Sequence, residues 1–207
     1  MKLPAFRVRS EWRLLVAAAL FLLVFAGSAR PAPTGTLEAA AVSCQPGAAG
    51  HPGSCVDPIG DVKGVAGPDI TRVMQYEWGA IAFTVTLAKV PPLTHSAAFT
   101  DEVSVTLTAT GTTATKRYRL TVSALDPKHQ ILQRLPGGKR FTLPATGRGV
   151  SGKTVTLGLD LNPLVGNPYL VRYRVEAARV MADGAIASSD YVPNTGTQVW
   201  RAYSPQG

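Results

Sequence analysis

Only two cysteines and three histidines occur in the 207 residues of this chain. There is no second cysteine pair, and His51 is the one histidine close to the first, so a structural zinc centre built from four Cys or His ligands is excluded. No Gly-x-Ser-x-Gly elbow is present, and His51, His95 and His129 all fall in loop-like sequence, so the triads of nucleophilic hydrolases are not spelled out. Paired carboxylates fare no better. Asp101 and Glu102 are adjacent, which on a strand sends them to opposite faces, and nothing marks a partner for Asp160. A hydrolase therefore ranks last among the functional readings, and no catalytic residue is nominated. Long apolar runs are lacking as well: the longest, Leu14–Ala26, holds 13 residues, short of the roughly 20 that span a bilayer. Outside it, no long stretch shows helical spacing.

That short run has the surroundings of an export signal. Lys2, Arg7, Arg9 and Arg13 precede it, and the small residues Gly27-Ser28-Ala29 follow, which reads as a bacterial-type signal peptide over residues 1–29 with cleavage after Ala29. The alternative is an uncleaved anchor, which would be the chain's only hold on a membrane. Lipidation at Cys44 fits less well, because seventeen residues separate it from the apolar run. The expected location is secreted or extracytoplasmic, and there Cys44 and Cys55 are expected to pair as a disulfide around the Gly/Pro-rich segment Gln45–Ser54. Residues 30–55 are mainly Ala, Pro, Gly, Thr and Ser without either period, which reads as a flexible linker carrying that disulfide loop. The formal charge of +8 falls to +5 once residues 1–29 are removed, a mildly basic balance that suits either an acidic envelope partner or simple solubility.

From residue 56 to 207 the dominant signal has a period of two. Ile81, Phe83, Val85 and Leu87 alternate with Ala82, Thr84, Thr86 and Ala88. Val103–Leu107, Tyr118–Val122 and Val155–Leu161 follow the same rule, as does a longer run from Leu170 to Val180 with Val171, Tyr173, Val175 and Ala177 on one side. Weaker runs cover Ile70–Trp78, Ile131–Leu135 and Thr197–Tyr203. The separators are turn formers such as Pro91-Pro92, Gly111-Thr112-Thr113, Gly137-Gly138 and Gly166-Asn167-Pro168. The fold class that follows is all-β: an antiparallel β-sandwich of about eight strands, preceded by the signal helix and the linker.

Two loops invite chemical readings. Gly147–Thr154 matches the phosphate-binding pattern of Gly, four residues, Gly, Lys and Thr. That loop works only between a strand and a helix whose positive end faces the phosphate, and here Thr154–Leu161 alternates as a strand, so the match is set aside. The second loop, Asp57-Pro58-Ile59-Gly60-Asp61-Val62-Lys63-Gly64, runs on through Pro68 to Asp69-Ile70 and spaces three carboxylates along a bent segment. Hard cations take six to eight oxygens from carboxylates and backbone carbonyls, so Asp57, Asp61 and Asp69 could converge on a calcium ion. The competing reading is that each aspartate caps its own turn. Apart from calcium, no cofactor is expected.

This opening, with Phe83–Ala88 and the late Ser189-Asp190-Tyr191-Val192-Pro193, resembles secreted bacterial β-sandwich domains of the DOMON-like type, related to family 9 carbohydrate-binding modules. The resemblance implies an extracytoplasmic binding fold, with sugar or haem as ligands in various relatives. The chain departs from that pattern at Val103–Ala109, which carries no acid, and Met74, Met181, His95 and His129 form no recognisable haem-ligand arrangement. A carbohydrate module stacks sugar rings on exposed aromatics, for which Tyr76, Trp78, Tyr191, Trp200 and Tyr203 are the candidates; core packing is the other fate open to the tryptophans. Lys116-Arg117-Tyr118-Arg119 and Arg172-Tyr173-Arg174 superficially suggest nucleic acid, but alternation accounts for them, tyrosine inward and arginine outward. The functional expectation is a non-catalytic binding domain for carbohydrate or cell-envelope glycan. A surface-exposed structural or protein-interaction domain without a small ligand is the alternative, and the oligomeric state is not legible.

Overall fold

A strand with apolar side chains at every second position can bury one face and wet the other, and the strands of this protein follow that pattern. A computed structural model describes residues 42–48, 50–64, 67–77, 80–144 and 149–201, all of them within one compact unit, Glu38–Gly207. Residues 1–41, which hold the expected export segment and the first part of the expected linker, lie outside the described residues, as do Trp78, Tyr203 and residues 145–148.

Two sheets form a β-sandwich. One is six-stranded, in the order β1 (Ser43–Gln45), β3 (Gly53–Val56), β5 (Ile70–Glu77), β6 (Ile81–Leu87), β12 (Thr154–Leu159), β11 (Val150–Ser151). The other runs β10 (Arg140–Pro144), β9 (Asp126–Leu135), β8 (Thr115–Ser123), β7 (Phe99–Gly111), β13 (Pro168–Met181), β14 (Ile186–Val192), β4 (Lys63–Gly64). Two further strands complete its nine: β15 (Gln198–Arg201) pairs with β13, and β2 (Gly47–Ala48) pairs with β15. Every pairing is antiparallel except β2 with β15. One helical turn, α1 (Asn162–Val165), occupies the expected turn after β12.

Among the described residues there are therefore fifteen strands in place of about eight. The surplus is mostly pieces of two to four residues, too short to show a period. The larger omission is β14, absent from the expected strands, whose inward positions carry the polar Ser188 and Asp190 and so mask the alternation.

The core fills the space between the sheets. Phe83, Val85, Val155 and Leu157 from one sheet meet Val105, Leu107, Leu120 and Val175 from the other, all fully buried. The rings of Phe83 and Tyr173 pack edge to face with centroids 4.8 Å apart. Each such side chain contributes about 1.5–3 kcal/mol on burial, which is why the alternating runs dictate which face turns inward. Gln130 on β9 crosses the interior: its Nε2 donates to the Gly158 carbonyl at 2.6 Å and its Oε1 accepts from the Gly158 N–H at 3.0 Å. The glycine-rich match is resolved here too. Gly152 and Lys153 form the two-residue turn between β11 and β12, with Gly152 at φ +58°, and Thr154 opens a strand.

The segment expected as a linker contributes structure from Ser43 onward. Here β1 joins the six-stranded sheet, β2 crosses to β15 in the other sheet, β3 returns, β4 crosses again to β14, and β5 returns once more. Residues 43–77 thus lace the two sheets together along one edge. Cys44 and Cys55 stand opposite each other in the β1–β3 pair and are joined by the expected disulfide. Gly47 makes the crossing feasible: a Cβ there would collide with Gln75 Oε1 and come within 2.9 Å of Trp200 Cδ1. Ala, Pro and Gly suppressed any period in this segment, so its role as a seam is a product of its neighbours. Among the described residues no helix is long and apolar enough to cross a membrane.

Candidate metal centre

Along the laced edge, the loop between β3 and β5 folds back over the end of β14. Three backbone groups set this course. The Asp57 N–H donates to the Thr71 carbonyl at 3.0 Å, holding the start of the loop against β5. The Gly60 N–H donates to Asp69 Oδ2 at 2.8 Å, closing the bend. The Ile70 N–H donates to Asp190 Oδ2 at 2.6 Å, tying the first residue of β5 to β14 in the opposite sheet. Asp190 lies opposite Ala177, an inward position, so its carboxylate points between the sheets.

These bonds gather carboxylates. Oxygens of Asp57, Asp61 and Asp190 lie within 4.8 Å of one another. Calcium binds oxygen at about 2.3–2.6 Å, so ligands on opposite sides of one ion stand about 5 Å apart, and the trio fits within that span. Asp57 is only 3% exposed, yet neither of its carboxylate oxygens has a hydrogen-bond partner; the same holds for Asp61 Oδ1 and Asp69 Oδ1. Asn194 Nδ2 reaches the remaining Asp61 oxygen at 3.3 Å. Among the described residues, no lysine or arginine forms an ion pair with any of the four aspartates.

Burial of unpaired carboxylates is expensive in free energy, and the protonation equilibria reflect it. Burial, then the charges of Asp190, Asp61 and Asp69, push the Asp57 carboxyl up to about 8. Burial likewise raises Asp190 to about 6, although the Ile70 N–H opposes it. Asp69 is raised by burial, with the Gly60 N–H pulling the other way. A divalent cation would replace proton and repulsion alike. The donor set is entirely oxygen, with no thiolate or imidazole, which suits Ca²⁺ and not a softer metal.

The turn-cap reading of the three aspartates does not describe this loop. Asp69 caps Gly60, nine residues earlier, and Asp57 caps nothing. Of the expected trio, Asp57 and Asp61 come together, while the third member of the tight cluster is Asp190, with Asp69 beside it. Asp190 carried a readable signal: in the frame set by Val192 it occupies an inward position, where a carboxylate calls for a partner.

Of the expected aromatic platform, the members among the described residues, Tyr76, Tyr191 and Trp200, do not share a face. Trp200 is 2% exposed and belongs to the core, because β15 pairs with β13 beside Val171. Tyr191 lies under the Arg174 guanidinium, 4.1 Å from its ring centroid, and donates to Glu176 Oε1 at 2.9 Å. Tyr76 is half-buried, its hydroxyl on Met74 Sδ at 3.0 Å. Asp101 is held in a buried pair: Arg179 Nε and Nη2 donate to its two oxygens at 2.8 and 3.0 Å, and the Thr94 N–H and hydroxyl add to one of them. No protein-family model, curated protein or solved structure matches this chain.

Proposed function

We propose that this protein is an extracytoplasmic, non-catalytic binding domain whose sandwich is fastened by one calcium ion on Asp57, Asp61 and Asp190, with Asp69 in support. The observation that carries this reading is Asp57, nine-tenths buried with both oxygens unpartnered among three other carboxylates. The ion would bridge the β3–β5 loop and β14, and so join the two sheets at the edge already laced by β1 to β4. An oxidised Cys44–Cys55 pair fits an exported protein. Calcium is abundant outside the cell, so such a fastening closes where the domain works.

The test is a calcium titration of the chelated chain at pH 8, followed by calorimetry and by the melting temperature. One site is expected, with stabilisation of about 2.7 kcal/mol when calcium reaches a hundred times its dissociation constant. Asp57→Asn should abolish both signals. A chain whose heat signal and melting temperature ignore calcium would overturn the reading.

A further inference from the structure

Alternation sends the arginines of β8 and β13 outward because Tyr118, Leu120, Val171, Tyr173 and Val175 turn inward. The register then aligns them. Arg117 of β8 stands opposite Thr108 of β7, which stands opposite Arg172 of β13; in the next row Arg119, Thr106 and Arg174 do the same. The backbone positions of four arginines thus mark the corners of a patch about 10 Å across, two interstrand steps, and about 7 Å along the strands. Between β8 and β13 these two rows contain only arginine and threonine.

The four arginines are not equivalent. Arg119 Nη2 donates to Glu176 Oε2 at 2.8 Å and to Ser104 at 3.0 Å, and Arg174 donates to the Pro193 and Asn194 carbonyls at 3.2 and 2.7 Å. These contacts hold two side chains flat against the sheet. Arg117 and Arg172 are exposed. Glu176 is the one acid adjoining these rows, and it is already bound by Arg119 and Tyr191. The patch keeps a surplus of positive charge on a flat face, with two arginines anchored and two presented to solvent.

We infer that this face binds a polysaccharide carrying a carboxylate on its repeating sugar. This names the ligand of the binding domain proposed above and rests on that reading. The guanidinium fork matches a planar carboxylate with two parallel hydrogen bonds, and the threonine hydroxyls between the corners suit sugar hydroxyls. A membrane would need bulky apolar side chains to insert, and between β8 and β13 the two rows offer none, with only the half-buried Leu135 and Val199 at the ends of one row. Nucleic-acid bases would need an open aromatic face, and Tyr191 is covered by Arg174.

Fluorescence anisotropy with short, labelled polygalacturonate oligomers tests the inference. The parent chain should bind them and ignore the methyl-esterified oligomer, and binding should weaken as salt rises. Arg117→Ser with Arg172→Ser should lose about tenfold or more in affinity. Arg72→Ser with Lys153→Ser removes the same charge from elsewhere, at exposed positions on β5 and on the β11–β12 turn, and should stay within about twofold. Equal losses in the two double variants, absence of binding by the parent, or equally tight binding of duplex DNA or anionic lipid vesicles would each overturn the inference. Calcium titration of the same variants separates the two readings: oligomer binding lost beside an unchanged calcium response assigns the loss to this face.

Discussion

The β3–β5 loop edge and the outer face of the nine-stranded sheet both concentrate charge of one sign, and they are built in opposite ways. At the edge, Asp57, Asp69 and Asp190 are buried, both oxygens of Asp57 and one of Asp69 are unpartnered, and burial raises all three carboxyls. On the face, Arg117 and Arg172 reach into water, where like charges 7 to 10 Å apart repel by only about half a kcal/mol. Buried like charges need a counter-ion to be stable, whereas exposed ones are inexpensive to keep and free to meet a partner. The Asp101–Arg179 pair is a third case, buried but matched, with Arg179 also stacked 3.8 Å from the Phe99 ring centroid.

That contrast can be broken experimentally. The largest effect is expected at the matched pair: Asp101→Ala removes the buried carboxylate that Arg179 and Thr94 both bind and should cost about 3 kcal/mol, read by urea denaturation. By contrast, Asp57→Asn in the chelated protein at pH 8 should leave stability equal or higher, because it removes a repelling group. A loss comparable to that of Asp101→Ala would erase the distinction.

Next comes pH. The folded pKa of Asp57, about 8, lies above that of an unfolded aspartate, so the folded state binds the extra proton. For this group, stability of the chelated chain is greatest near pH 4 and declines as pH rises towards 8, by at most about 1.4 kcal/mol per pH unit per proton. The calcium-induced rise in melting temperature should run the other way, growing from pH 5 to pH 8 as protons stop competing. Melting curves with and without chelator across that range check both slopes.

The smallest effect belongs to the face. Arg117→Ser and Arg172→Ser should each change stability by no more than about 0.5 kcal/mol, since both side chains are exposed. A larger loss by thermal denaturation would mean that these arginines serve the fold itself.

Much of the sandwich was legible in residue order. The runs Ile81–Leu87, Val103–Leu107, Tyr118–Val122 and Leu170–Val180 all became strands with the expected side inward. The seam over residues 43–64 was not legible, because strands of two to four residues have no period and take their pairing from whatever edge lies beside them. Asp57 and Asp61 could be nominated from a bent acidic loop. Asp190 sits 129 positions beyond the nearer of them, and only the sheet partner of β13 brings it there.

The amino-acid order by itself determined the period of two, and with it the inward and outward faces, because burying every second apolar side chain outweighs weaker local preferences. It also set the disulfide, since the two cysteines had only each other. Which strands became neighbours, and hence which carboxylates share a site and which arginines form rows, was decided by tertiary structure alone. Register depends on contacts between segments far apart in the chain, and no local pattern encodes them.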